Sequence, residues 1–404
     1  MQAFARLSPE VRQYLIVTGN YWGFTLTDGA LRMLVVLHFH SLGYTPLQIA
    51  ALFLFYEVFG VVTNLLGGYL GARLGLNRTM NLGLAMQVVA LLMLTVPAVW
   101  LTVPWVMGAQ ALSGIAKDLN KMSAKSSIKL LVPDSQQGTL YKWVAILTGS
   151  KNALKGVGFF LGGALLTLLG FGGAVLAMAA VLAVIWIGSL VLLKKDLGKA
   201  KAKPKFKDIL SKSQAINVLS AARLFLFGAR DVWFVIALPV YLSTVFGWNF
   251  WMVGGFLACW IIGYGIVQSM APAITGKHSG NVPDGRAAFI WAALLAALPA
   301  AIAVGLTTDA SPQWVLIGGL LLFVALFAVN SSLHSYLIVS YAKEDGVSLD
   351  VGFYYMSNAM GRLIGTLLSG WVFQAYGLQA CLWVSSLFVL LAAIISLRLP
   401  RHTR

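Results

Sequence analysis

Acidic residues are scarce in this chain. Its 404 residues include 13 Asp and Glu against 29 Lys and Arg, for a formal net charge of +16. Charge of either sign is itself rare, at 10% of residues, whereas a soluble domain carries about a quarter. Cysteine is nearly absent. Cys259 and Cys381 lie far apart in apolar stretches, which argues against a disulfide framework or a thiolate metal site. No His/Cys/Asp/Glu group has metal-ligand spacing, and no nucleophile–base group or nucleotide motif supports catalysis, so neither enzyme chemistry nor a cofactor is expected. A cleavable leader is not expected either. Residues 1–13 are polar, Ser8-Pro9-Glu10 reads as a helix start, and the apolar span that follows is too long for a signal sequence.

What the chain has in quantity is apolar sequence. Hydrophobic residues make up 59% and the mean hydropathy is +0.82. Runs of about 20 apolar residues recur, each enough to cross a hydrocarbon core of roughly 30 Å. They predict an all-α integral membrane protein with twelve spans: 14–40, 46–70, 79–99, 104–128, 138–168, 172–193, 214–243, 250–274, 288–307, 313–341, 350–375 and 379–397. The loops sort by charge. Those at 41–46, 100–103, 169–171, 244–249 and 376–378 carry no Lys or Arg, whereas Arg73, Arg78, Lys129, Lys277, Arg286, Lys343 and a lysine run over 194–212 lie on the other side. The tails add Arg6, Arg12, Arg398, Arg401 and Arg404 to that side. The positive-inside rule then places both termini in the cytoplasm. Because so much of the charge sits in these loops, it does not imply nucleic acid. Two six-span halves, 1–193 and 213–404, flank the lysine-rich linker 194–212. Asp28 and Asp231 stand 15 and 16 residues before Gly43 and Gly247, in matching Leu-Gly-Tyr and Phe-Gly-Trp turns, as a duplicated transporter would show.

Ionisable residues inside the spans carry the functional argument, because a charge at bilayer depth faces a bundle interior or a watery cavity. Arg32, Lys117, Lys121, Lys151, Lys155, Arg223, Arg230 and Arg362 outnumber Asp28, Glu57, Asp118 and Asp231. A surplus of buried cations is the expected lining of a pathway for a small anion. Lys117, Lys121 and Lys125 are spaced i, i+4, i+8 on one helical stripe, and Lys151 and Lys155 share a face one turn apart. No acid stands near the latter pair in the sequence, which makes them the leading candidates. Several of the others admit structural readings. Asp28 and Arg32 have the spacing of a helix ion pair, Lys121 has Asp118 three residues away, and Lys125 and Lys129 can snorkel to the inner interface. Arg230 and its neighbour Asp231 are expected to find partners elsewhere. Asp28, Glu57 and Asp231 are candidates for proton coupling or gating, with an interhelical pair as the alternative for Glu57. His334, His38 and His40 read as hydrogen-bonded interface histidines. Gly156, Gly158, Gly162 and Gly163 read as a close-packing face.

Gly68-Tyr69-Leu70-Gly71-Ala72-Arg73-Leu74-Gly75-Leu76-Asn77-Arg78 resembles the signature loop of the major facilitator superfamily, with Ala72 where that loop usually has Asp. Four longer strings resemble its ArsJ-type organoarsenical exporters: Asn20–Arg32, Gly114–Lys125, Gly149–Gly156 and Asp350–Arg362. The resemblance implies a monomeric carrier in the bacterial inner membrane that confers arsenate resistance. The substrate implied is 1-arseno-3-phosphoglycerate, formed when a glyceraldehyde-3-phosphate dehydrogenase, the functional partner, takes arsenate in place of phosphate. Such an ester is anionic at both ends. The lysines of the first half and Arg230, Arg362 and Asn358 of the second are the expected two-ended clamp, with Arg32 beside them and the pocket at mid-depth between the halves. Arsenite would call for thiolates, which two separated cysteines do not supply. With the inside negative, anion export runs with the membrane potential, at about 2.3 kcal/mol per charge per 100 mV. An organophosphate or organic-anion importer or antiporter is the alternative.

Overall fold

The computed structural model describes residues 7–44, 49, 52–193, 197–201, 205, 210, 212–275 and 282–401. Most of the 194–212 linker lies outside the described residues, as do Arg6, Lys277 and Arg404. Regular structure among the described residues is helical throughout: α1 (Pro9–Ser41), α2 (Leu54–Leu74), α3 (Leu76–Met93), α4 (Val103–Leu131), α5 (Gln137–Leu192), α6 (Gln214–Phe234), α7 (Ala237–Thr244), α8 (Phe250–Ile274), α9 (Gly285–Gly305), α10 (Pro312–Tyr341) and α11 (Val347–Ser396). Local chemistry sets their starts. Ser8 Oγ accepts from Val11 N at 3.3 Å with Pro9 and Glu10 in the first turn, as its sequence implies. Asn249 caps α8 through Met252 N at 2.9 Å, and Asp284 caps α9 through Arg286 N and Ala287 N.

Two helices are too long for one crossing. At 1.5 Å per residue, 56 residues in α5 would run roughly 84 Å, against a hydrocarbon core of about 30 Å. The backbone breaks at Gly170 (φ 68°, ψ 178°) in α5 and at Gly377 (φ 79°, ψ −176°) in α11. Only glycine adopts that conformation at little cost, so each helix is two segments joined by a one-residue turn. The breaks fall between the fifth and sixth and between the eleventh and twelfth expected spans, in corresponding places of a repeat, and the helices are compatible with twelve crossings. Between α6 and α7 the helix is also interrupted. There Ser369 Oγ accepts from Ile236 N (3.3 Å) and Ala237 N (3.1 Å), which re-satisfies backbone groups that lipid could not.

The distribution of polarity is that of a multi-pass membrane protein. Leu168, Val184, Val191, Leu322, Leu367 and Trp371 are exposed, while Asn330, Ser331, Ser332, His334 and Ser335 of α10 are buried. Among the described residues, six helical stretches are long and apolar enough to cross a membrane: Gln137–Leu192, Gln214–Thr244, Trp251–Ile274, Gly285–Gly305, Pro312–Tyr341 and Val347–Ser396. The N-terminal helices are more polar, and most of the acids inside the spans lie on them.

The chain forms two compact units. One contains residues 1–140, 150–211 and 342–356, and the other contains 141–149, 212–341 and 357–404. The segments 342–356 and 141–149 thus join units other than those of their sequence neighbours. Small residues explain the first. Ser348 Oγ donates to Gly68 O at 2.8 Å, and a Cβ on Gly352 would meet Gly68 Cα at 2.9 Å. In the other unit, a Cβ on Gly149 would meet Gly265 O at 2.5 Å, and Tyr141 and Thr275 hydroxyls lie 3.0 Å apart. A strap from the linker is stitched to the first unit. Leu76 N donates to Leu197 O (2.8 Å), Ala200 N to Ala72 O (2.8 Å) and Lys201 N to Asp345 Oδ1 (2.9 Å).

Candidate functional site

In the first unit the charged residues gather around two tyrosines. Helices α1 and α5 approach closely because Gly29 and Gly158 face each other's backbone. A Cβ at Gly29 would stand 2.6 Å from Lys155 O, and one at Gly158 would stand 2.9 Å from Leu26 O. That approach brings Lys155 Nζ to 3.5 Å from Asp28 Oδ2. The Tyr56 hydroxyl on α2 donates to both oxygens of Asp28, at 2.8 and 3.1 Å. The Tyr56 ring in turn lies under Lys117 Nζ at 3.7 Å, with Arg32 at 5.5 Å and Lys155 at 6.0 Å from its centroid. A neutral phenol thus hydrogen-bonds the acid through its edge and faces cations with its π-cloud. Arg32 is paired with Glu57 of α2 at 3.8 Å.

The second cluster lies further along α4. Asp118 accepts from Lys121 Nζ at 2.7 Å and from Thr63 Oγ1 at 3.0 Å. Lys121 and Lys125 both stand 4.7 Å from the centroid of the Tyr355 ring, and Lys125 Nζ also donates to the Tyr355 hydroxyl. Lys151 is half-buried, and its ammonium contacts Asn152 Oδ1 at 3.3 Å. Among the described residues no carboxylate lies within 4 Å of Lys151 or Lys117.

The second unit repeats the arrangement with arginine. Helices α6 and α11 meet through Gly228, Gly361 and Gly365. Asp231 is fully buried. Its Oδ1 binds Arg230 through Nε (2.6 Å) and Nη2 (2.5 Å), and its Oδ2 accepts from Arg362 Nε at 3.0 Å. Phe227, Phe234 and Phe327 surround the Arg230 guanidinium at 5.0, 5.7 and 5.6 Å. Deeper in the unit, Arg223 donates to Asn358 Oδ1 at 2.8 Å and lies 3.7 Å over Phe227. Ser331 Oγ, 3.4 Å from Arg223 Nη1, also takes bonds from Tyr264 (2.7 Å) and Gln268 (3.1 Å). Asp28 and Asp231, matched by their spacing to Gly43 and Gly247, therefore hold equivalent posts. Asp28 of α1 pairs with Lys155 of α5, and Asp231 of α6 with Arg362 of α11.

Several expectations change. Lys155 does have an acid beside it, because Asp28 reaches it across a glycine contact that the linear sequence does not display. Arg32 takes Glu57 within 4 Å, so the favourable spacing of Asp28 and Arg32 loses to interhelical geometry. Arg230 does pair with its neighbour Asp231, since a long guanidinium side chain held by phenylalanines can fold back one residue. Lys125, at 3% exposure, is buried against Tyr355 and does not snorkel. Neither ring nitrogen of buried His334 has a hydrogen-bond partner among the described residues, contrary to the expected bonded histidine. The Lys121–Asp118 pair and the packing role of Gly158 and Gly162 are as expected. Tyr56, Tyr355, Tyr264, Gln268 and Ser331 were missed. The usable signal was an aromatic beside a charge within an apolar span, as in Tyr56-Glu57.

A model of the major facilitator superfamily matches residues 14–348. No curated protein sequence matches the chain. Among solved structures, the human organic anion transporter TETRAN superposes with a TM-score of 0.76 at 18% identity, over 96% of this chain and 100% of that one. The E. coli fucose:proton symporter gives 0.73 at 13% identity, over 95% and 98%. A bacterial homologue of the iron transporter ferroportin, in an outward-facing state, gives 0.71 at 15% identity, over 95% and 98%. At these identities the likeness is one of fold, and it is the fold drawn above from broken helices, glycine seams and an apolar exterior. With 335 consecutive residues spanned by the family model, the chain belongs to the major facilitator superfamily of membrane transporters.

Proposed function

We propose that this transporter exports a small organic anion of the phosphate or arsenate ester class, with 1-arseno-3-phosphoglycerate as its substrate. The observation that carries the reading is the imbalance inside the helices. Within the twelve spans, ten cations (Arg32, Lys117, Lys121, Lys125, Lys142, Lys151, Lys155, Arg223, Arg230 and Arg362) accompany five acids (Asp28, Glu57, Asp118, Asp231 and Asp350). Lys117 and Lys151, which have no carboxylate within reach among the described residues, are the ones an anion would neutralise. Lysine offers point charges and arginine offers forks to phosphate-like oxygens, so both residue types suit a phosphate- or arsenate-class ester. Resemblance to the organoarsenical exporters supports the substrate, a bacterial inner-membrane location, a monomeric state and a glyceraldehyde-3-phosphate dehydrogenase as metabolic partner, and the Lys/Arg asymmetry of the loops supports cytoplasmic termini.

The test is arsenate resistance and arsenical efflux in cells that express the dehydrogenase with wild-type protein or Lys151→Ala. The variant is expected to lose efflux at near-normal membrane abundance, because removing an uncompensated cation relieves repulsion in the empty protein. It also removes a charge-assisted bond to the anion worth about 1.5–3 kcal/mol. Normal efflux by Lys151→Ala would sink the anion assignment.

A further inference from the structure

Tyr355 occupies an unusual position for an aromatic side chain. It is 2% exposed, and two ammonium groups one helical turn apart, Lys121 and Lys125, stand at equal distance, 4.7 Å, from its ring centroid. Its hydroxyl accepts from Lys125. The Asp118 carboxylate beside this pair lies 2.7 Å from Lys121 and is shared with Thr63. Both lysines thus lean on the same aromatic ring, and Lys125 also on its hydroxyl. A ring quadrupole and a phenolic oxygen are weaker partners for an ammonium than an anionic oxygen is. They are partners that a phosphate-class anion can displace.

The same contact is mechanical. The lysines belong to α4 and the tyrosine to the first turns of α11. Those turns are also held in this unit by Ser348 Oγ donating to Gly68 O at 2.8 Å and by the approach of Gly352 to Gly68. We infer that Tyr355 is an anion-displaceable latch. In the empty protein it covers Lys121 and Lys125 and ties α11 to α4. A phosphate-class dianion that binds the two lysines takes the place of the ring and hydroxyl and frees this part of α11. The inference rests on the anion-transport reading and adds to it a residue that makes helix release conditional on negative charge. A neutral solute of the same size would leave the latch shut, so selectivity comes from competition with the tyrosine as well as from attraction to the lysines.

The experiment uses the full-length protein purified in detergent, with inorganic phosphate, 3-phosphoglycerate and neutral glycerol as probes of melting temperature. Wild type is expected to be stabilised by both anions and unmoved by glycerol. Tyr355→Phe keeps the ring and deletes the hydroxyl that the anion must displace, so its apparent affinity for 3-phosphoglycerate is expected to tighten by about tenfold, the lower end of the scale of one hydrogen bond to a charged group. Tyr355→Leu uncovers both lysines. It is expected to melt lower in anion-free buffer and to recover most of that loss when 3-phosphoglycerate is added. Simple structural damage would weaken binding, so a tighter Kd separates the latch from a packing role. A weaker Kd in Tyr355→Phe would mean that the hydroxyl holds the ligand, and an unchanged Kd that it is never displaced; either overturns the latch while leaving anion transport standing. Failure of both anions to stabilise wild type would overturn the latch and the anion reading together.

Discussion

Replacing Asp231 by asparagine isolates what one buried carboxylate does for two arginines. Asp231 has no exposed surface, and its oxygens are divided between Arg230 at 2.5–2.6 Å and Arg362 at 3.0 Å. Asparagine keeps the shape, removes the charge and turns an N–H donor towards one guanidinium. Removing one partner of a buried ion pair costs about 3–5 kcal/mol. Here the arginine side chains retain 13% and 28% exposure, so water moderates the loss and about 3 kcal/mol is the fair figure. At roughly 2–4 °C per kcal/mol, that lowers the melting temperature by about 6–12 °C. The assay is thermal unfolding of the solubilised protein, followed by fluorescence-detected size exclusion, together with its membrane abundance. Asp231→Asn combined with Arg362→Gln is expected to melt above Asp231→Asn alone, because one stranded cation is gone; residues sharing a network are not additive. Wild-type melting of the single variant, or a double variant no better than the single, would refute the claim that Asp231 offsets these charges.

Asp28→Asn is expected to lower abundance for the same reason, since it leaves Lys155 and Lys117 facing Tyr56 without the acid, and to strengthen phosphate binding where the carboxylate stood. Parallel measurement of membrane level and phosphate-induced stabilisation checks both, and a fall in phosphate affinity would count against Asp28 as a competitor of the anion. Gly158→Val is expected to abolish accumulation, because its Cβ would stand 2.9 Å from Leu26 O and 3.1 Å from Ala30 N, backbone atoms that cannot yield. Gly188→Ala, with nothing within 4 Å of its Cβ, is the matched control and is expected to accumulate normally.

Helix placement was legible in the sequence because it depends on local apolar length and on signals such as Ser8-Pro9-Glu10, written in consecutive residues, whereas the Asn249 and Asp284 caps emerged only from the structure. The breaks at Gly170 and Gly377 were legible too, since loops without Lys or Arg stood there. Charge imbalance was visible as composition. The pairing was not. Whether Asp28 serves Arg32 or Lys155 depends on how closely α1 and α5 approach, and that is set by Gly29 and Gly158 meeting face to face from distant parts of the chain. The role of Tyr56 and Tyr355 was hidden for a related reason. Aromatic residues in apolar spans usually serve as packing volume, and only the positions of lysines on other turns and helices make these two electrostatic.

The strap at residues 197–201 has an evolutionary consequence. Two of its three bonds run from backbone to backbone, to Ala72 and Leu76, and the third offers a backbone N–H to Asp345. A tie of that kind is indifferent to most side chains except at Gly198, whose φ of 74° and the 2.4 Å approach of a Cβ to Leu76 hold it as glycine, but it is sensitive to length, since one inserted or deleted residue would misregister every bond. It also reaches the loop where the family's usual acid is replaced by Ala72, so a main-chain brace stands where related loops carry a carboxylate. In gene fusions or recombination between relatives, the segment belongs with the Ala72–Leu76 loop it binds. A crossover placed before residue 197 would separate the brace from the loop it binds.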